Sequence, residues 1–92
     1  MIKQEIFTPN ATPYIVYLDP YTSTTSLGVT PNGSTYTVEF TITPTTMGLT
    51  PNWYAIDNMT AATTAQTKEF GKISALRFTV TGGTNIEADI NN

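Results

Sequence analysis

The 92-residue chain contains no cysteine and no histidine. Without cysteine there is no disulfide, no thiol nucleophile and no thiolate metal ligand; without histidine the commonest general base and metal ligand is missing. Charge is scarce as well. Charged residues make up 12% of the chain, about half of the ~25% usual in globular domains. Four basic and seven acidic residues leave a net charge of −3. The basic residues Lys3, Lys68, Lys72 and Arg77 are scattered, so no basic stripe can replace counterions on a nucleic acid. No apolar run approaches the ~18–20 residues of a membrane-spanning helix. Residues 1–7 lack the apolar centre of a secretory signal, and the expectation is synthesis in the cytosol, with neither nucleic acid nor membrane as partner. A chain that is 39% hydrophobic with so little charge is also not a disordered acidic tail.

Threonine takes the place of charge: 20 residues, against 4 serines and 7 asparagines. Its β-branched side chain suits a pleated surface, and its hydroxyl keeps an outer face wet without charge. Turn residues punctuate the chain at Pro9-Asn10, Asp19-Pro20, Pro31-Asn32-Gly33-Ser34, Pro44, Gly48, Pro51-Asn52, Gly71 and Gly82-Gly83. Short runs between regular turns are the pattern of an all-β sandwich or barrel.

The clearest strand is 35–43, where Tyr36, Val38, Phe40 and Ile42 alternate with Thr37, Glu39 and Thr41 until Pro44 removes a ladder donor. A second alternation runs through Leu76, Phe78 and Val80, meets Gly82-Gly83, and resumes at Ile86, Ala88 and Ile90. Two alternating runs about a Gly-Gly pair predict a C-terminal β-hairpin. Weaker strands are predicted at 2–7, 14–18, 22–29 and 53–56. Tyr14-Ile15-Val16-Tyr17-Leu18 is apolar throughout, as in a strand covered on both faces or set in a subunit contact. Residues 59–68 carry no apolar stripe and read as a loop, with room for one helical turn after Asn58. The fold class is therefore all-β: a single sandwich domain over 1–92, about 7–8 antiparallel strands with Greek-key or jelly-roll connections. Its expected core is Tyr36, Val38, Phe40, Ile42, Trp53, Leu76, Phe78, Val80, Ile86 and Ile90.

Candidate chemistry is thin. Glu87 and Asp89 share a strand face and could form an acid/base pair or hold Ca²⁺, but period-two alternation with Ile86, Ala88 and Ile90 explains them as a solvated face. No histidine activates any hydroxyl, and no Gly-x-Ser-x-Gly elbow is present. Gly82-Gly83 joins two strands, not a strand to a helix amino terminus, so it is not a phosphate loop. Asn10, Asn32 and Asn58 head Asn-x-Ser/Thr triplets that read as turns. No enzyme activity, cofactor or metal is expected. Trp53-Tyr54 is the one aromatic pair that a carbohydrate-binding sandwich could use. On a strand the two point to opposite faces, with Trp53 expected in the core. Arg77, the only arginine, could pair with Glu87 or Asp89 across the hairpin, or clamp a partner's carboxylate.

One stretch resembles a known group. Pro51-Asn52-Trp53-Tyr54 through Asn58-Met59-Thr60, a Thr/Ala-rich loop, and then Ile73-Ser74-Ala75-Leu76-Arg77-Phe78-Thr79-Val80-Thr81-Gly82-Gly83-Thr84 before a final strand are similar to the second half of small β-rich virion proteins of tailed bacteriophages, the head-decoration, cement and minor structural proteins. The resemblance covers about 40 residues. It implies a β-sandwich on the capsid surface of the virion that bridges adjacent coat subunits, with the major capsid protein and copies of itself as partners; a homotrimer would match a local three-fold axis. A neck, tail or fibre-associated virion component and a carbohydrate-binding module are the alternatives. Contacts are expected where apolar runs alternate least cleanly, at Ile2, Ile6, Phe7, Tyr14, Tyr17 and Tyr21, with Tyr54 and Arg77 as further candidates.

Overall fold

The computed structural model describes residues 2–10, 12–19, 22–45 and 48–92. They form eight strands: β1 (Ile2–Phe7), β2 (Tyr14–Tyr17), β3 (Thr25–Asn32), β4 (Thr35–Thr41), β5 (Tyr54–Ala55), β6 (Gln66–Phe70), β7 (Ala75–Thr81) and β8 (Asn85–Asn91), with no α-helix among the described residues. Two four-stranded sheets result, one in the order β1-β8-β3-β6 and the other β2-β7-β4-β5. We call them sheet A and sheet B.

The pairing is nested. β1 pairs with β8, β2 with β7, β3 with β6 and β4 with β5, all antiparallel. That is one long ribbon folded back on itself at the β4–β5 tip. The ribbon is then rolled, so that β3 also lies against β8 and β4 against β7. Eight strands connected this way make a jelly roll, and the sandwich expected from the sequence is the fold observed.

The expected C-terminal hairpin is not formed. β7 belongs to sheet B and β8 to sheet A, so Gly82-Gly83 carries the chain between sheets instead of turning it within one. The alternation itself was read correctly, since Leu76, Phe78 and Val80 face Ile86, Ala88 and Ile90 across one core, all buried. In a hairpin turned at Gly82-Gly83 alone, Val80 would oppose Asn85 and Phe78 would oppose Glu87, which puts 76, 78 and 80 on the opposite face from 86, 88 and 90; the crossing between sheets lets all six reach the core.

The core holds most of the expected residues, with two corrections. Ile42 is exposed, because β4 ends at Thr41 and the chain leaves the sheet there. Trp53 is only half-buried and lies outside the core. Phe40 is half-buried and packs against the core edge beside Phe70, with ring centroids 5.3 Å apart. Met59, Ile56 and Ile73 are buried although they lie outside the strands. Met59 accepts a bond from the Val38 N–H at 2.9 Å, so the segment after β5 serves as a partial neighbour to β4. No helical turn follows Asn58, whose φ is +64°. Where a loop is expected over 59–68, its last three residues belong to strand β6. It pairs with β3 from Thr25↔Phe70 to Val29↔Gln66. As an edge strand it has one apolar inward residue, Phe70, and so shows no alternation to read.

Threonine lies where the composition suggested. Thr35 pairs with Thr81 and Thr37 with Thr79 on the outer face of sheet B. Thr25 and Thr41 are the buried exceptions, and each hydroxyl is bonded: Thr25 Oγ1 accepts from Asn92 Nδ2 at 3.0 Å, and Thr41 Oγ1 from the Thr43 N–H at 3.1 Å.

Tyr36 is the largest fully buried side chain, and its hydroxyl donates to the Thr64 carbonyl at 2.7 Å. Burial pushes its phenol above the ordinary value, because the phenolate would lose its hydration. A raised folded pKa leaves stability intact below the unfolded value of about 10 and removes it as pH climbs through the folded value. Tyr36→Phe is therefore expected to cost roughly 1 kcal/mol at pH 7 from the lost bond, and to lose less stability than the parent as pH rises above about 10 in urea titrations. Equal alkaline slopes for the two proteins would contradict this.

Candidate interaction surface

Two edge strands lie above one another on the same side of the sandwich, β1 of sheet A and β2 of sheet B. Their link is aromatic: Phe7 stacks on Tyr14 at 4.7 Å between centroids and on Phe78 at 4.8 Å. Phe7 is buried, so it anchors this side from within and is not available as a surface contact; this corrects its place among the candidates. Tyr14 is half-buried against it.

The other apolar candidates on these strands face solvent. Ile2 is 86% exposed and Ile6 60%, both on the outer face of sheet A; Tyr17 is 63% exposed on the outer face of sheet B. Ile15, beside Tyr17, is exposed too. The sequence reading passed over Ile15 because a uniformly apolar run gives no clue to which residues face outward. Tyr21 lies outside the described residues. Tyr54 is exposed at the opposite side of the sandwich, on the short strand β5, its ring tilted on Phe40 at 5.6 Å.

Arg77 sits at the centre of sheet B's outer face. It does not pair with Glu87 or Asp89, which lie on the other sheet. β4 presents Glu39 directly opposite Arg77, and Arg77 Nη2 and Nε donate to Glu39 Oε1 at 2.8 and 3.1 Å. The guanidinium also lies over the Trp53 ring, 4.6 Å from its centroid, where the ring's negative face attracts it. Trp53 thus rests on the outer face of sheet B, while Tyr54 follows Phe40 on the inner side. The two aromatics do not form one flat platform, and one face of Trp53 is already occupied.

The outer face of sheet A carries a shallow trough of about 760 Å³. One cross-strand row runs Gln4, Asp89, Gly28, Thr67. Gly28 lowers the floor, and Gln4 Nε2 donates to Asp89 at 2.9 Å. A smaller cleft of about 370 Å³ lies at one end, lined in part by Leu18, Ile42, Ile73 and Lys72. Among the described residues no group of three Asp, Glu, His or Cys side chains could hold a metal ion.

Comparison with protein-family models, with curated proteins and with solved structures finds no match to the chain. The surface must be read from its own physical chemistry.

Proposed function

We propose that this protein is a structural docking subunit that decorates or cements the capsid of a tailed phage by bridging adjacent coat subunits. The observation that carries the reading is where the exposed apolar side chains fall. Among the described residues seven large hydrophobics are exposed, and four of them, Ile2, Ile6, Ile15 and Tyr17, belong to the adjacent edge strands β1 and β2. Isolated exposed hydrophobics are ordinary, but here Ile2 and Ile6 project from the outer face of sheet A and Ile15 and Tyr17 from the outer face of sheet B, so this edge of the sandwich carries apolar side chains on both faces, which a partner that straddles the edge would cover. The low charge supports the same reading, because a domain with few surface charges is poorly protected against association. The stretch from Pro51 to Thr84 that resembles tailed-phage virion proteins supplies the class of partner. The jelly roll is used in viral capsids and also in lectin domains, so the fold alone does not choose between them.

The mechanism is burial of apolar area repeated over a lattice. Each contact is modest, and many tethered copies add avidity. The test is sedimentation of coat shells with the purified chain. The expected result is co-sedimentation at a copy number comparable to the coat subunits. The double variant Ile2→Glu, Ile6→Glu is expected to bind at least about 10-fold more weakly while its thermal midpoint stays within a few degrees. No binding, or only a few copies per particle as a neck or tail component would show, contradicts the proposal.

A further inference from the structure

A sheet edge presents unpaired backbone groups that recognise an extended strand, and natural proteins guard such edges with charge, brevity or cover. Three of the four edges here are guarded. On β1, Lys3 and Glu5 stand opposite Ile90 and Ala88 and so point inward, joined by an ion pair at 3.0 Å. On β6, Lys68 stands opposite Leu27 and is exposed, which sets a charge on that edge strand. β5 is two residues long. β2, Tyr14-Ile15-Val16-Tyr17, has no charge at all.

The hydrogen-bond phase of β2 follows from its neighbours. The Leu18 N–H donates to the Ser74 carbonyl, and Val80 exchanges bonds with Asn10 on the same side of β7. Even-numbered residues of β7 therefore face β2, and Tyr14, Val16 and Leu18 face β7. On β4, Tyr36 and Val38 bond Ala62 and Met59 on the side away from β7, which gives β7 the same phase from its other neighbour. In an antiparallel ladder the intervening residues aim both N–H and C=O the other way. Ile15 and Tyr17 thus direct four backbone groups outward, with no partner for them among the described residues.

We propose that a second copy of this chain pairs its β2 with this edge about a two-fold axis at Val16, joining the two B sheets into one eight-stranded sheet. The register is fixed by two conditions. A two-fold axis perpendicular to the sheet keeps outer faces together, so Ile15 or Tyr17 must oppose an outward residue of the other copy. All four outward groups must also be used. With the axis at Val16, Ile15 opposes Tyr17 of the second copy and Tyr17 opposes its Ile15, making four hydrogen bonds with none left over. An axis at Ile15 sets Tyr17 opposite Pro13, which has no N–H to donate. An axis at Tyr17 sets Ile15 opposite Asp19, whose N–H already donates to Asn92 Oδ1 at 2.7 Å. The Val16 register also packs Ile15 on Tyr17 twice across the junction, a favourable apolar pair on one face. The occupant is a second copy because β2 meets its own hydrogen-bond phase and its own side-chain pattern in this one arrangement. Its small area makes the contact weak alone, with a Kd on the order of 10 µM to 1 mM.

Sedimentation equilibrium up to about 1 mM, a range set by that weak Kd, tests the pairing, with Tyr17→Pro and Tyr17→Lys as variants. Proline removes an outward N–H and leaves the β2–β7 ladder intact; lysine guards the edge. The expected result is a monomer–dimer equilibrium for the parent and at least about 10-fold weaker dimerisation for both variants, each with the parent's circular dichroism spectrum. Val16→Cys is expected to give a covalent dimer on mild oxidation, since opposed residues at a non-hydrogen-bonded site lie about 4.5 Å apart; Thr30→Cys on the outer face of sheet A is not. A parent that stays monomeric or forms a trimer, or variants that dimerise normally, would overturn the pairing. This proposal and the capsid reading fail separately: a monomer that binds coat shells sinks only the pairing, and a dimer that ignores them sinks only the capsid role.

Discussion

Phe78→Ala is expected to lower the unfolding free energy by about 3–5 kcal/mol and the thermal midpoint by roughly 15–30 °C. Phe78 is completely buried at the middle of β7, where it opposes Tyr14 of β2 on one side and Val38 of β4 on the other. It also stacks on Phe7 of sheet A. One side chain therefore touches three strands and both sheets, and its removal leaves a cavity that none of them can close alone. A domain of this size has only about 5–14 kcal/mol in total, so the variant should be close to unfolded at 37 °C. The control is Ile6→Ala, on the exposed outer face, where a loss under about 0.5 kcal/mol is expected. Comparable losses for the two, measured by urea denaturation, would mean that the centre of the sandwich lies elsewhere.

The second large effect separates two neighbouring glycines. Gly82 and Gly83 both have positive φ, +64° and +69°. A Cβ on Gly82 meets nothing within 4 Å, whereas one on Gly83 would overlap the Gly33 carbonyl oxygen and lie 2.6 Å from Ser34 Oγ. Gly33-Ser34 is the crossing from β3 to β4, and Gly82-Gly83 is part of the crossing from β7 to β8. The two crossings touch, laced by Asn32 Nδ2 donating to Asn85 Oδ1 at 2.7 Å. Gly82→Ala is expected to cost about 1–2 kcal/mol for the left-handed backbone alone. Gly83→Ala carries that cost and must also push one crossing off the other, for a total of about 3–5 kcal/mol. Similar losses for the two variants, measured by denaturant unfolding, would mean the crossings do not touch.

How much of this was legible in the sequence depended on how each residue is covered. β4 and β7 are central strands with one face buried, so their alternation is clean from Thr35 to Glu39 and from Leu76 to Val80, and both strands are legible. Threonine on the outer face followed from composition and is borne out at Thr35, Thr37, Thr79 and Thr81. β6 was missed because an edge strand needs little apolar surface: Gln66 and Lys68 occupy positions that a central strand would fill with valine. A glycine pair between two alternating runs suggests a hairpin, but across a two-residue turn the parity of 76, 78, 80 and 86, 88, 90 sets them on opposite faces, and the chain buries both sets by crossing between sheets instead. Arg77 was given the wrong partner for that reason alone: once β8 moves to the other sheet, Glu39 is the carboxylate across the ladder. Of the candidate surface, Ile2, Ile6 and Tyr17 stood out as unpatterned apolar residues. Ile15 did not, and the register of β2 against β7 was needed to see that it faces out. Phe7 looked the same in sequence and points inward, because β1 meets the core only at its carboxyl end.

The division of the strands between two sheets determines every edge and outer face used above. Cross-strand nuclear Overhauser contacts in a uniformly labelled sample test it most directly. The jelly roll predicts Hα–Hα contacts of Ile15 with Arg77 and of Tyr17 with Ala75, backbone contacts along β1–β8 and β3–β8, and none between the backbones of β7 and β8. A ladder of contacts joining 76–80 to 86–90 would show a C-terminal hairpin, and would contradict both the fold and the surfaces derived from it.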